Sequence, residues 1–294
     1  MNETLTLQLD EILKTQAGNP STHWLQRLGS QSEITTSLCF YNRLPGRLMG
    51  VEAAQYLLPR IDPRIQCQAL HPDGSLLLAH SPLLHVQAPM GSFLLAEAWL
   101  RPLMETLSAI TTQISQWEEV LSPHGIRILY RAPFALSPYC ALEKQAALAG
   151  GARNHRLFLT DGVRLHALHY QWMGSLTEAV NLLLEALPPT IKIETEVTSL
   201  GQVQEAIEAG SHMLLLQDMS LAEIKLAVRT CQRRVWVEWV KPFRFPEDVP
   251  ILVESGVQFV STTSLLSPLM PWPLCVEVNT PQAVPAGSQI PPIE

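Results

Sequence analysis

Between Gly150 and His169 the chain gathers the side-chain types best suited to gripping an anion. The glycine pair Gly150-Gly151 precedes Arg153, His155 and Arg156, and His166 and His169 follow shortly after. Glycine lets a backbone approach a ligand closely, and a guanidinium fork holds a carboxylate or phosphate through parallel hydrogen bonds. The expected chemistry is anion binding by His155 and Arg156, weighed against a surface or capping pair outside any pocket. Arg131 stands at a predicted strand end, where it either faces a ligand or pairs with a carboxylate such as Glu196.

Other residues invite sharper readings. The i, i+3 spacing of His166 and His169 suits metal ligation on a helix. Residues 162–169 read as a strand, however, and alternation then sends the two rings to opposite faces, so no metal site is expected. Glu194 and Glu196 share one strand face; paired acid/base work is weighed against a strand end with one residue facing the pocket. Asp218 and Lys241 lie at the ends of two further predicted strands. Around the second, Trp236, Trp239, Phe243 and Phe245 form an aromatic cluster, read as core or as a plug at a pocket mouth. Cys140 sits near a helix start and reads as structural.

Composition narrows the partners. Charged residues are only 16% of the 294, hydrophobic residues are 47%, and the formal net charge is −7. That balance argues against nucleic acid and anionic membrane as partners, both of which require a basic field. No apolar run approaches the roughly 18–20 residues that span a bilayer. Five scattered cysteines without CxxC spacing fit reduced thiols. With no signal-peptide pattern at the start, the cytoplasm is the expected location.

The elements that would position these residues follow from periodicity. Residues 47–90 read as a strand-rich region, and 91–120 as a helix with Leu94, Leu100, Leu103, Leu107 and Ile110 on one face. Strands are then expected at 125–130, 162–169, 190–197, 213–217, 235–240 and 257–262. Helices at 138–149, 175–186, 200–209 and 221–232 alternate with them. This is the grammar of parallel strands with crossover helices. The fold class is therefore α/β: an N-terminal α/β sandwich over 1–110, completed by part of 268–280, followed by a C-terminal β/α barrel over 111–267 that need not close. A proline-rich tail occupies 281–294. The apolar segment 268–274 reads as an interface, with Trp272 as its contact residue. No Rossmann fingerprint or P-loop follows any strand. In a barrel, chemistry belongs at the carboxyl ends of the strands.

Several segments together resemble the quinolinate phosphoribosyltransferases. They are SEITT at 32–36, GRLMGV at 46–51, Asp73-Gly74, LLAE at 94–97, LSAITT at 107–112, LEK at 142–144, the glycine pair with His155-Arg156, and TEVTSL at 195–200. The resemblance implies dimers with a residue contributed across the interface. It also implies transfer of phosphoribose onto quinolinate, on the way to NAD, with Mg²⁺. Position by position, Arg131, His155, Arg156, His169 and Glu196 match family site residues. Elsewhere this sequence departs: Ala98, Ala132, His166, Leu168 and Gln217 stand where the family has Arg, Lys, Lys, Asn and Asp, with Asp218 beside the last. Val240-Lys241-Pro242-Phe243 replaces a Gly-rich phosphate loop.

Polyanionic substrates need cations and, for a loop, backbone donors. The expectation is a pseudoenzyme of this fold: a binding or scaffold protein, as a homodimer or heteromer, that holds a small carboxylate or phosphate. The candidate residues are Arg131, His155, Arg156, His166, His169, Glu196, Asp218 and Lys241, with none assigned as catalytic. The alternative is an active phosphoribosyltransferase, dependent on Mg²⁺, acting on quinolinate or a related aromatic acid.

Overall fold

The computed structural model describes residues 3–16, 33–131, 140–156, 159–244, 246–261 and 269–279. It divides into two compact units, one of residues 1–108 with 271–294 and the other of residues 109–270. The expected proline-rich tail at 281–294, Ala132 and Phe245 lie outside the described residues.

The first unit opens with helix α1 (Glu3–Gln16) and carries strands β1 (Thr35–Asn42), β2 (Gly46–Arg47), β3 (Gln66–Ala69), β4 (Leu76–Leu77) and β5 (Pro82–Pro89). Its main sheet runs β13-β1-β5-β3, where β13 (Leu274–Asn279) returns from the far end of the chain to pair antiparallel with β1. Leu38 and Phe40 of β1 and Leu84, Val86 and Ala88 of β5 are buried, as period-two alternation requires. Phe40 stacks edge-on against Phe93 at 6.1 Å.

The stretch read as strand-rich also contains a helix, α2 (Val51–Ile61). Its Pro59 suggests a break, yet the helix runs on for two residues past it. Asp73 starts this helix from a distance: its carboxylate accepts the backbone N–H of Val51 (2.8 Å) and Glu52 (3.2 Å), because Gly50 has no side chain to cap with. Trp272, expected at an interface, is instead 4% exposed inside this unit, its indole N–H donating to Pro45 O. An indole needs such a partner when buried, and this carbonyl supplies it.

Helix α3 (Met90–Leu121) contains the boundary between the units. The second unit holds β6 (Arg127–Tyr130), α4 (Cys140–Ala149), β7 (Arg153–Asn154), β8 (Gly162–Leu165), α5 (Ala167–Met173) and α6 (Leu176–Ala186). It continues with β9 (Lys192–Val197), α7 (Leu200–Ala209), β10 (Met213–Leu216), α8 (Leu221–Cys231), β11 (Trp236–Val240), α9 (Val249–Ser255) and β12 (Phe259–Ser261). The strands are parallel, in the order β7-β6-β12-β11-β10-β9-β8. Among the described residues β7 and β8 do not pair, so the curled sheet is a barrel left open at that seam. Ser175, Ser199 and Ser220 cap α6, α7 and α8 through their hydroxyls.

One expected strand is cut short. Residues 162–165 are extended, but His166 is the N-cap of α5, so His166 and His169 lie one helical turn apart with ring centroids at 5.4 Å. The His169 ring accepts the His166 backbone N–H at 3.1 Å. Opposite faces were expected; a capping box built from two histidines brings the rings together instead. Short α9 was not signalled, since Pro250 in its first turn reads as a loop residue although proline suits that position.

The glycine pair also has a packing role. A Cβ on Gly150 would stand 2.8 Å from Thr111 O and 2.9 Å from Ile114, both on α3. Gly151 has φ +105°, a left-handed conformation that ends α4. Gly150→Ala is therefore expected to cost about 1–3 kcal/mol by overpacking, read as a lower midpoint in urea unfolding.

Candidate functional site

Parallel register brings one charged layer together across the lumen of the open barrel. Arg164 pairs with Glu194 between β8 and β9, while Glu238 points inward from β11 and Arg131 from just past β6. Two clusters result. The Glu194 carboxylate lies 2.8 Å from His155 Nε2 and accepts Arg164 Nε–H at 2.6 Å. Arg131 donates to Glu238 Oε1 at 2.7 Å, and Ser261 donates its hydroxyl to the same oxygen. His155 joins the two, 3.8 Å from Glu238 Oε2.

Burial makes this layer electrostatically sharp. Glu238 is 0% exposed, and burial together with the hydrogen bond and repulsion from Glu194 pushes its carboxyl up to about 8, against the pull of Arg131 and Ser261. Glu194 moves the other way. Burial raises it, but hydrogen bonds from His155, Glu238 and Arg164 outweigh that and hold it well below the ordinary carboxylate range. The pair thus shares one proton, carried by Glu238. Burial also depresses His155, so its ring is neutral at pH 7.

His155, Glu194 and Glu238 place donor atoms within 4.8 Å of one another, as a metal would require. Arg164 already neutralises Glu194, and Glu238 keeps its proton beside Arg131, so the group is a buried hydrogen-bonded charge cluster rather than a metal centre. Mg²⁺ fares no better at the strand ends. It needs several hard oxygen ligands. The exposed Asp218 shares that cavity with Arg131 and Lys241, and Glu196 is bonded to His166 Nδ1 at 2.8 Å. These residues do not fit the ion.

The candidate residues thus fall at three levels. At the carboxyl ends of the strands, Arg131, Asp218 and Lys241 line a cavity of about 250 Å³ with Gln217, Met219, Trp239, Val240 and Pro242. Asp218 takes a left-handed φ of +52° there. Trp239 and Phe243 are buried and pack edge-to-face at 5.4 Å, with Lys241 Nζ 5.2 Å from each ring centroid. His155 lies in the charged layer beneath. Arg156 belongs to neither: it donates to Gly162 O at 3.1 Å and lines a cavity at the opposite, amino end of the strands. Back at the carboxyl-end level, His166, His169 and Glu196 form a separate group at the start of α5.

The sequence left Arg131 facing either a ligand or a carboxylate such as Glu196; the carboxylate it meets is Glu238. The missed glutamate lies in the run Trp236-Val-Glu-Trp-Val240, where inward alternation with Trp236 and Val240 was the available signal. Arg164 was missed as the cation on Glu194.

Comparison with known proteins supplies the context. Residues 138–270 match the family model "Quinolinate phosphoribosyl transferase, C-terminal domain". A probable carboxylating nicotinate-nucleotide pyrophosphorylase of Synechocystis sp. is 28% identical over 230 residues, 77% of each chain. The carboxylating nicotinate-nucleotide pyrophosphorylase of Mycobacterium leprae is 30% identical over 190 residues, 64% of this chain and 66% of its own. The solved structure of nicotinate-nucleotide pyrophosphorylase from Ehrlichia chaffeensis shares the fold with a TM-score of 0.84 at 20% identity, covering 95% of this chain and all of that one. That of the Francisella tularensis protein does so with a TM-score of 0.80 at 23% identity, covering 95% and 97%.

Proposed function

This chain belongs to the quinolinate phosphoribosyltransferase family, and we propose that it binds a small carboxylate or phosphate monoanion at the carboxyl ends of its barrel strands without transferring phosphoribose. The carrying observation is that its basic side chains are already engaged. His155 and Arg164 serve Glu194, Arg131 donates to Glu238, and Arg156 turns to the other end of the barrel. Lys241 remains at the mouth, 4.0 Å from Asp248. Small-molecule sites usually occupy roughly 300–1,000 Å³. A cavity of about 250 Å³ lies below that range, which favours one small anion over two polyanions.

Arg131 remains useful for a monoanion. Because the Glu238 proton leaves its carboxyl neutral near pH 7, the charge of Arg131 is not cancelled. Lys241 faces it across the cavity from above two aromatic rings. Pro242 removes one backbone donor and Phe243 fills the space behind, which disfavours a phosphate cradle. The five cysteines are free, in keeping with a reducing compartment, and we place the protein in the cytoplasm. Among the described residues no helix is long and apolar enough to cross a membrane.

The relatives' printed activity supports the second reading, an active nicotinate-nucleotide pyrophosphorylase. Titration calorimetry with quinolinate, phosphoribosyl pyrophosphate and Mg²⁺, with nicotinate mononucleotide followed in the same samples, separates the two. We expect no product, and saturable heat from a monoanion that Lys241→Ala weakens roughly tenfold, the loss of one charged hydrogen bond. Turnover would establish the enzyme reading and overturn this one.

A further inference from the structure

The other end of the barrel carries its own cavity. Of about 360 Å³, it lies where the strands begin: Met213 of β10, Trp236 of β11, Phe259 of β12, and Gly162 and Val163 of β8 line it. The charged layer of Glu194, His155 and Arg164 closes its inner end, so it does not belong to the strand-end cavity described above.

Two features of this mouth point to a ligand. Its wall is aromatic: Trp236 and Phe259 pack edge-to-face at 5.3 Å, and Trp236 is 55% exposed although it opens a central strand. A half-exposed indole on a rigid strand offers a stacking surface at little entropic cost. Its rim is cationic. Arg153, Arg156 and Lys192 line it, against Asp161 and a Glu194 carboxylate already held by His155 and Arg164. Three cations around an apolar wall, in a chain of net charge −7, run against the overall field of the protein. The mouth exists because the barrel is open: β7 is two residues long, and Gly162 at the seam contributes no side chain to fill it.

We propose that this amino-end mouth is a second ligand site, which takes a flat aromatic carboxylate. The ring stacks on Trp236 beside Phe259 and Met213, and the carboxylate meets the guanidinium and ammonium groups of Arg153, Arg156 and Lys192. A monoanion is favoured over a phosphate ester, because the apolar wall penalises desolvation of a second charge. The volume lies within the usual range for a small-molecule site.

The probe is 2-naphthoate, titrated by calorimetry into the full chain, with neutral 2-naphthalenemethanol as the comparison. The expected result is a saturable site for the acid that persists in Lys241→Ala, where the strand-end cavity is weakened, and at least tenfold weaker binding of the alcohol to it. Arg153→Glu combined with Lys192→Glu should weaken naphthoate at least tenfold, as should Trp236→Ala. Lys241→Ala, at the other end of the barrel, should leave it unchanged. Arg153, Lys192 and Trp236 are all exposed; unfolding curves check that each variant folds, and if Trp236→Ala does not, the charge variant carries the test. Absence of saturable heat to millimolar concentration would overturn the proposal. So would binding that survives the charge variant, or binding lost in Lys241→Ala, which would move the ligand to the strand-end cavity.

Discussion

Glu194→Gln is expected to destabilise the fold by about 3–5 kcal/mol, the usual cost of removing one partner from a buried ion pair. The carboxylate is the hub of the charged layer: it receives Arg164 at 2.6 Å and His155 at 2.8 Å, and all three side chains are about nine-tenths buried. A neutral amide fills the same volume, so the loss is electrostatic rather than a packing cavity. Arg164 would remain in the lumen without the carboxylate that now pairs with it. Chemical denaturation of wild type and variant at pH 7 reads this directly. A change below 1 kcal/mol would show that water enters the layer and screens it, as it does for surface pairs. Leu215 of β10, the buried neighbour paired with Glu196, provides the contrast: its truncation to Ala would cost a similar amount through a cavity, but without dependence on pH or salt.

This layer also shows how much of the molecule is legible in its residues. Alternation and helix periodicity place β9, α7, β10 and α8 within a residue or two, because each buries one face and carries its own cap or turn. The signals fail where a local cue competes with tertiary context. Pro59 reads as a breaker and sits inside α2; Pro250 reads as loop and starts α9. The two histidines look like alternating strand residues until one is seen to cap the other's helix. Partner choice was the least legible. Arg131 and Glu238 lie far apart in the chain and meet through strand order, which sets β12 between β6 and β11. No spacing rule could have selected Glu238 over Glu196, both inward-facing carboxylates that flank Leu215 from either side of β10. The glycine pair illustrates the reverse case: a motif suggestive of ligand approach fits a helix contact at Thr111 and Ile114.

The proton held by Glu238 makes the second large effect one of pH. Its folded-state value of about 8 lies above the ordinary 4.5 of a glutamate. Between those values the folded chain retains a proton that the unfolded chain releases, so Glu238 makes stability fall steadily as pH rises from about 4.5 to about 8. Its contribution is complete below that window and gone above it. Glu194 acts with the opposite sign: held below its ordinary range, it contributes above pH 4.5 and is lost as the pH falls further. The groups facing Glu238 are Arg131 beyond β6, Ser261 on β12, Glu194 on β9 and His155 beyond β7. Glu238→Gln replaces a neutral acid with a neutral amide that still accepts from Arg131 and can donate to Glu194. The variant should match wild type near pH 5 and become progressively more stable than it toward pH 9, in melting curves recorded across that range. Parallel curves would mean that Glu238 is ionised in the fold and cancels Arg131. In the expected case, Arg131 loses its effective charge only above about pH 8, and monoanion affinity at the carboxyl end of the barrel should fall over the same interval in wild type but not in Glu238→Gln.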